Sequence, residues 1–180
     1  LYRYRFGEAF DFDLQGLATP VLPSPDSEHW TMTDLASVAI GYAVAETPLH
    51  ILTFYNAIAN KGRMMRPYIV ESVEKDGRIV KKKGPSVLNG AVCSREVADS
   101  LTSGLLSITS EGTASRLKDA KLRVAGKTGT AWVYMDPKQA SRTDPFKDRE
   151  GRRKYQATFV GFFPAEQPKY TAIVVIYSKP

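Results

Sequence analysis

A single cysteine, Cys93, in 180 residues leaves no internal disulfide and no multi-cysteine metal site to build. Histidine is almost as scarce: His29 and His50 stand far apart with no ligand spacing around either, so both read as structural residues and neither a metal nor any other cofactor is implied. No apolar run approaches the roughly 18 residues of a membrane-spanning helix, and no secretory apolar core precedes small residues. The chain opens at Leu1 rather than Met. The expectation is that these residues hold neither a signal peptide nor a membrane span, although a longer parent chain could carry both. There is no internal repeat.

What is present is enough apolar material, 43% of residues, for a real core in one domain or a large piece of one. The formal charge of +6 raises a nucleic-acid reading. Much of the excess is local, since residues 136–154 hold seven Lys or Arg against four Asp or Glu. No aromatic-interleaved binding motif accompanies it, so a solvated charged loop explains the excess better than a nucleic-acid partner. A segment of that length with Pro137, Pro145 and Gly151 and no apolar periodicity is expected to be mobile or functional.

Residues 1–40, broken by Gly7, Gly16, Pro20, Pro23 and Pro25, read as an irregular approach segment, with a short apolar piece from Asp34 to Tyr42. The clearest helix signal follows. Thr47 can cap it, Pro48 suits its first position and Gly62 can stop it, while apolar residues point in almost every direction and predict burial on most sides. Tyr68 to Glu74 and Ile79-Val80 flank Asp76-Gly77, a dipeptide suited to a two-residue hairpin. Ser94 can cap a second helix with Val97, Leu101, Leu105 and Ile108 as its core-facing stripe. Tyr155 to Phe163 and Tyr170 to Tyr177 read as strands, and the doubly apolar Ile173 to Ile176 predicts that the last strand is central and covered on both faces.

The chemistry concentrates in Ala125-Gly126-Lys127-Thr128-Gly129-Thr130-Ala131-Trp132. An ammonium, two hydroxyls and a side-chain-free position fall within four residues of a β-prone stretch. Such a strand suits an extended ligand ending in a carboxylate, with Gly129 leaving room for a second backbone. Alternation puts Thr128 and Thr130 on one face and Lys127 on the other, so twist or the long lysine stem must bring the ammonium over the edge.

Gly41-Tyr42, Glu46-Thr47-Pro48-Leu49, Asn56 to Gly62, Arg66-Pro67, Glu111-Gly112-Thr113-Ala114, Gly126 to Ala131 and Phe159 to Pro164 occur in one order along the chain. In that order they resemble the C-terminal part of the transpeptidase domain of class B penicillin-binding proteins, most of all the division-type, septal enzymes, whose superfamily carries a Lys-Thr-Gly element. The resemblance implies an α+β fold shared with serine β-lactamases, an antiparallel sheet with helices packed on it. It implies a parent peptidoglycan D,D-transpeptidase anchored at the cell inner membrane on its periplasmic side. Its partners would be peptidoglycan stem peptides, β-lactam antibiotics and divisome membrane proteins. Lys127 and the backbone N–H of Thr130 would then be catalytic, and Thr128, Gly129 and Thr130 would bind substrate.

The family's nucleophile sits in Ser-x-x-Lys and its second element in Ser-x-Asn, both N-terminal to everything matched here. No Ser-x-Asn occurs in these residues, and Ser72 to Lys75 and Ser115 to Lys118 are Ser-x-x-Lys only in spelling. Alone, the 180 residues are therefore expected to be inactive, which is also what a non-catalytic binding or scaffold module would be. A β-lactamase or D,D-carboxypeptidase of the same fold is the other alternative. A phosphate-binding loop ending in Gly126-Lys127-Thr128 fails because its first glycine would fall at Lys121 and strand-forming residues follow.

Overall fold

The computed structural model describes residues 1–178 and divides into two compact units, Leu1–Leu101 and Thr102–Pro180. The architecture is α+β.

In the first unit the approach segment is irregular up to Thr31, apart from a 3-10 turn at Tyr2–Tyr4 and an antiparallel bridge between Val21 and Ala45. Helix α1 then runs Met32–Ala39, earlier than the apolar stretch suggested. Its start is set by a reciprocal cap in which the Thr31 hydroxyl accepts from the Asp34 N–H and the Asp34 carboxylate accepts from the Thr31 N–H. Helix α2, Pro48–Ala59, begins and ends as expected, with the Thr47 hydroxyl accepting from the His50 N–H and Gly62 at φ +89° donating its N–H to Ala57 O at 2.8 Å. Every residue of α2 except Pro48 is buried or half-buried.

The irregular N-terminal segment lies against α2. Tyr4 and Phe6 reach Phe54, Phe10 stacks on the His50 ring at 3.9 Å, and the Gly7 N–H donates to Glu46 Oε1 at 2.6 Å. His50 is a core histidine: its Nε2 donates to the Glu8 carbonyl at 2.7 Å, and its Nδ1 lies 2.7 Å from the Thr47 hydroxyl. Ala57, Met64 and Val92 form the centre of this unit's core. Strands β1, Met64–Met65, and later β4, Val87–Asn89, pair antiparallel beside it.

Between them, β2, Ser72–Lys75, and β3, Arg78–Lys82, make the expected hairpin, with Asp76 and Gly77 both at positive φ in the turn. It is exposed on both faces. One carboxylate ties its base: the Asp13 side chain, 4% exposed, accepts the Ile69 and Val70 N–H groups and pairs with the Lys83 ammonium. The Lys83 bond and then the two backbone bonds hold the Asp13 carboxyl down at about 2.

The unit boundary falls within α3, Arg95–Ser110. Its most buried positions are Ala98 and Thr109, whereas Val97 and Leu101, assigned to the core stripe from sequence, are exposed. The small Ala98 takes the face that the larger Val97 was expected to fill.

The second unit continues through a 3-10 turn, Ser115–Leu117, into an antiparallel meander of β5, Ala125–Trp132, β6, Tyr155–Phe163, and β7, Tyr170–Tyr177. Here one expectation is corrected. Among the described residues the sheet order β5-β6-β7 puts β6 in the centre and leaves β7 paired on one side, with Val174 53% and Ile176 62% exposed. Each strand pairs antiparallel with the one before it, although 22 residues separate β5 from β6 and only six separate β6 from β7, so the last strand has a partner on one side only among the described residues. Apolar residues on both faces of β7 mark what the strand can bury, not what covers it among the described residues.

Candidate functional site

Strand β5 is the other edge of the sheet, and its register with β6 runs from Ala125↔Phe162 to Trp132↔Tyr155 without a break. Two hydrogen bonds just beyond its ends fix which way its backbone faces. Ala165 N–H donates to Arg123 O at 2.9 Å, and Val133 N–H donates to Lys154 O at 3.0 Å, so the odd-numbered residues turn their backbone groups toward β6. By alternation Gly126, Thr128 and Thr130 turn their N–H and C=O groups to the open edge. The Lys127 ammonium agrees with this, because it donates to the Thr128 carbonyl at 2.7 Å. The lysine stem thus crosses its own strand to the edge where the two threonines present their backbone.

The four residues singled out from sequence differ in exposure, with Lys127, Gly129 and Thr130 exposed and Thr128 half-buried. A methyl group added at Gly129 would meet nothing within 4 Å, so the space beside it is open. Gly126 is the opposite case. A Cβ there would lie 2.5 Å from Phe159 Cζ and 2.8 Å from Val160 O, and across the register Gly161 would collide with Ala125 O at 2.6 Å. The first glycine of the motif is therefore needed for packing and the second leaves room at the edge.

Sequence reasoning missed the partner of Thr128. Its hydroxyl lies 2.8 Å from the hydroxyl of Thr113, in the turn after α3. The signal was there, since Glu111-Gly112-Thr113-Ala114 stood out as a motif, but spacing alone does not bring the segment to β5. Neither stray Ser-x-x-Lys pair builds a nucleophilic site. Ser72 opens an exposed hairpin strand, and the Ser115 hydroxyl bonds neither Lys118 nor Lys127 among the described residues. No cluster of His, Cys, Asp or Glu able to hold a metal occurs among the described residues.

Within the 136–154 segment, read from sequence as a mobile or functional charged loop, several of the charges are paired. Asp148 is buried and accepts from the Glu150 and Arg152 N–H groups and from Arg152 Nε at 2.7 Å. Burial works against its ionisation, but these bonds and the Arg152 charge hold its carboxyl below the usual range. Arg153 binds Asp144 at 2.9 Å and lays its guanidinium over the Trp132 ring at 3.7 Å, while Phe146 packs against Trp132 and Tyr134. These contacts fasten the segment to the C-terminal end of β5.

Against known families, residues 1–180 match the penicillin binding protein transpeptidase domain. The chain is 31% identical over 150 residues to penicillin-binding protein H of Bacillus subtilis (strain 168), covering 80% of this chain and 20% of that protein. It is 32% identical over 170 residues to the peptidoglycan D,D-transpeptidase PbpA of Mycolicibacterium smegmatis (strain ATCC 700084 / mc(2)155), covering 89% of this chain and 32% of that protein. Among solved structures, penicillin-binding protein 3 of Mycobacterium tuberculosis complexed with aztreonam superposes with a TM-score of 0.79 at 25% identity, covering 100% of this chain and 39% of that one. The chain thus spans a fifth to about a third of the length of these curated relatives. A family match along its whole length, and an open β5 edge carrying Lys127-Thr128-Gly129-Thr130 in the fold that family shares, place this chain in the penicillin-binding protein transpeptidase domain family.

Proposed function

We propose that the full-length protein carrying this chain is a serine-type peptidoglycan D,D-transpeptidase acylated by β-lactams, and that β5 is the edge on which its ligands lie. The observation that carries this reading is the outward-facing backbone of Thr128 and Thr130 beside the empty space at Gly129. A stem peptide or β-lactam adds to that edge as an extra strand, by backbone hydrogen bonds. The hydroxyls of Thr128 and Thr130 take its carboxylate, and the Lys127 ammonium supplies positive field beside them.

The nucleophile in this reading is a serine that these 180 residues do not supply. It attacks the carbonyl of the penultimate D-alanine and expels the terminal D-alanine. The acyl group then passes to an amine of a neighbouring stem. The N–H of Thr130, aimed off the open edge, is one of two donors to the oxyanion, a contribution worth about 3 kcal/mol in comparable sites. The reading places the enzyme at the outer face of the inner membrane, among division proteins, as the septal resemblance implies.

The test is to incubate the full-length protein with penicillin and map the adduct by mass spectrometry. One acyl group is expected on a serine outside residues 1–180, and an adduct on Ser72 or Ser115, or none, contradicts the reading. Supplying a donor pentapeptide with an acceptor amine should give cross-linked product as D-alanine is released. Hydrolysis alone would identify a carboxypeptidase, and rapid turnover of the penicillin a β-lactamase.

A further inference from the structure

We infer that Thr113 is a positioning residue for ligand binding, orienting the Thr128 hydroxyl toward the ligand's carboxylate; this rests on the reading of Thr128 given above. The two hydroxyl oxygens are 2.8 Å apart, the full-strength distance for an O–H···O bond. A hydroxyl owns one proton. If Thr128 spends its proton on Thr113 it has none for an anion, so with a carboxylate bound the bond must run from Thr113 to Thr128. Donation into Thr128 Oγ1 then both fixes its rotor and strengthens the proton it offers onward.

The local backbone holds Thr113 in place from two directions. The chain leaves α3 by folding back on its last turn, with Gly112 N–H donating to Ser107 O and Ala114 N–H to Ile108 O. A side chain on Gly112 would sit 2.8 Å from Ile108 Cα, so the turn closes this tightly only with glycine there. The buried Thr109 donates to Val124 O at 2.5 Å, pinning the end of α3 to the residue that precedes β5. Ala114, next to Thr113, is buried. With both the turn and the strand anchored, the 2.8 Å contact joins two fixed backbones and is not a chance meeting of mobile side chains.

The experiment uses the full-length protein with Thr113→Val, Thr113→Ser, Thr128→Val and the Thr113→Val/Thr128→Val double variant. Acylation is followed against concentration for penicillin and for its methyl ester, which keeps the reactive ring and lacks the carboxylate. Thr113→Val should lower second-order acylation by the acid about three- to tenfold, through a raised half-saturating concentration with little change in limiting rate. The ester should not respond, Thr113→Ser should recover most of the loss, and Thr113→Val should add nothing in the Thr128→Val background. Equal losses on acid and ester, or additive losses in the double variant, would show a merely structural role and overturn the inference. If Thr128→Val weakens the acid and Thr113→Val does not, this inference alone falls. If Thr128→Val leaves the acid untouched, the carboxylate reading of Thr128 falls and this inference goes with it.

Discussion

Gly126 on β5 stands directly across the register from Gly161 on β6, and neither position has room for a Cβ. This pair lets the Phe159 ring lie over the strand just before Lys127, so the framework of this edge depends on the absence of two side chains.

Gly126→Ala should therefore destabilise the domain by about 1–3 kcal/mol, the usual cost of forcing a methyl into a packed site. The thermal midpoint of the full-length protein should fall by several degrees. Gly129→Ala, placed in open space, should leave that midpoint nearly unchanged while slowing acylation. A variant at Gly129 that unfolds the protein would contradict the division of labour between the two glycines.

The Asp13 anchor makes a pH prediction. Its carboxyl is lowered from 3.8 to about 2 in the folded protein, so the anchor contributes fully above about pH 4 and is lost as pH falls through about 2. Hydrogen exchange at the Ile69 and Val70 amides should accelerate over that window beyond its intrinsic acid dependence. In Asp13→Asn the two amides should be less protected and the step should vanish. An unaltered step in Asp13→Asn would assign it to another group.

Arg153 links the charged segment to β5, and its removal should be visible from Trp132. In the full-length protein, Arg153→Ala should shift the NMR signal of the Trp132 indole and raise exchange across residues 136–154. Arg153→Lys should restore only part, since an ammonium has no plane to lay on the indole. No response in either measurement would mean that the stacking contact does not hold the segment.

Much of this molecule was legible before its structure. Thr47-Pro48 and Gly62 set α2, Asp76-Gly77 set the hairpin turn, and the bounds of β6 and β7 followed from β-prone runs between turn residues, because these signals act over a few neighbours. The four residues at the β5 edge were also legible as a group. What failed needed knowledge of partners. Val97 and Leu101 fit a helical stripe as well as Ala98 does, and only the folded chain decides which side is buried. Apolar Ile173 to Ile176 could not say whether β7 is flanked by strands on both sides. The Thr113–Thr128 bond and the Arg153–Trp132 stack join residues whose approach depends on how the intervening chain turns.

The most direct test of the central claim, that ligands bind along the β5 edge, is the second-order rate at which a fluorescent penicillin acylates the full-length protein and its Thr130→Val and Gly129→Val variants, with melting temperatures alongside. Thr130→Val keeps shape and deletes a hydroxyl, so it should lose a charge-assisted bond worth about 1.5–3 kcal/mol, or about ten- to hundredfold in rate. Gly129→Val should lose more, because it obstructs the approaching backbone itself. Both should melt close to the parent protein. Unchanged acylation in the two well-folded variants would mean that β5 is not where the ligand lies.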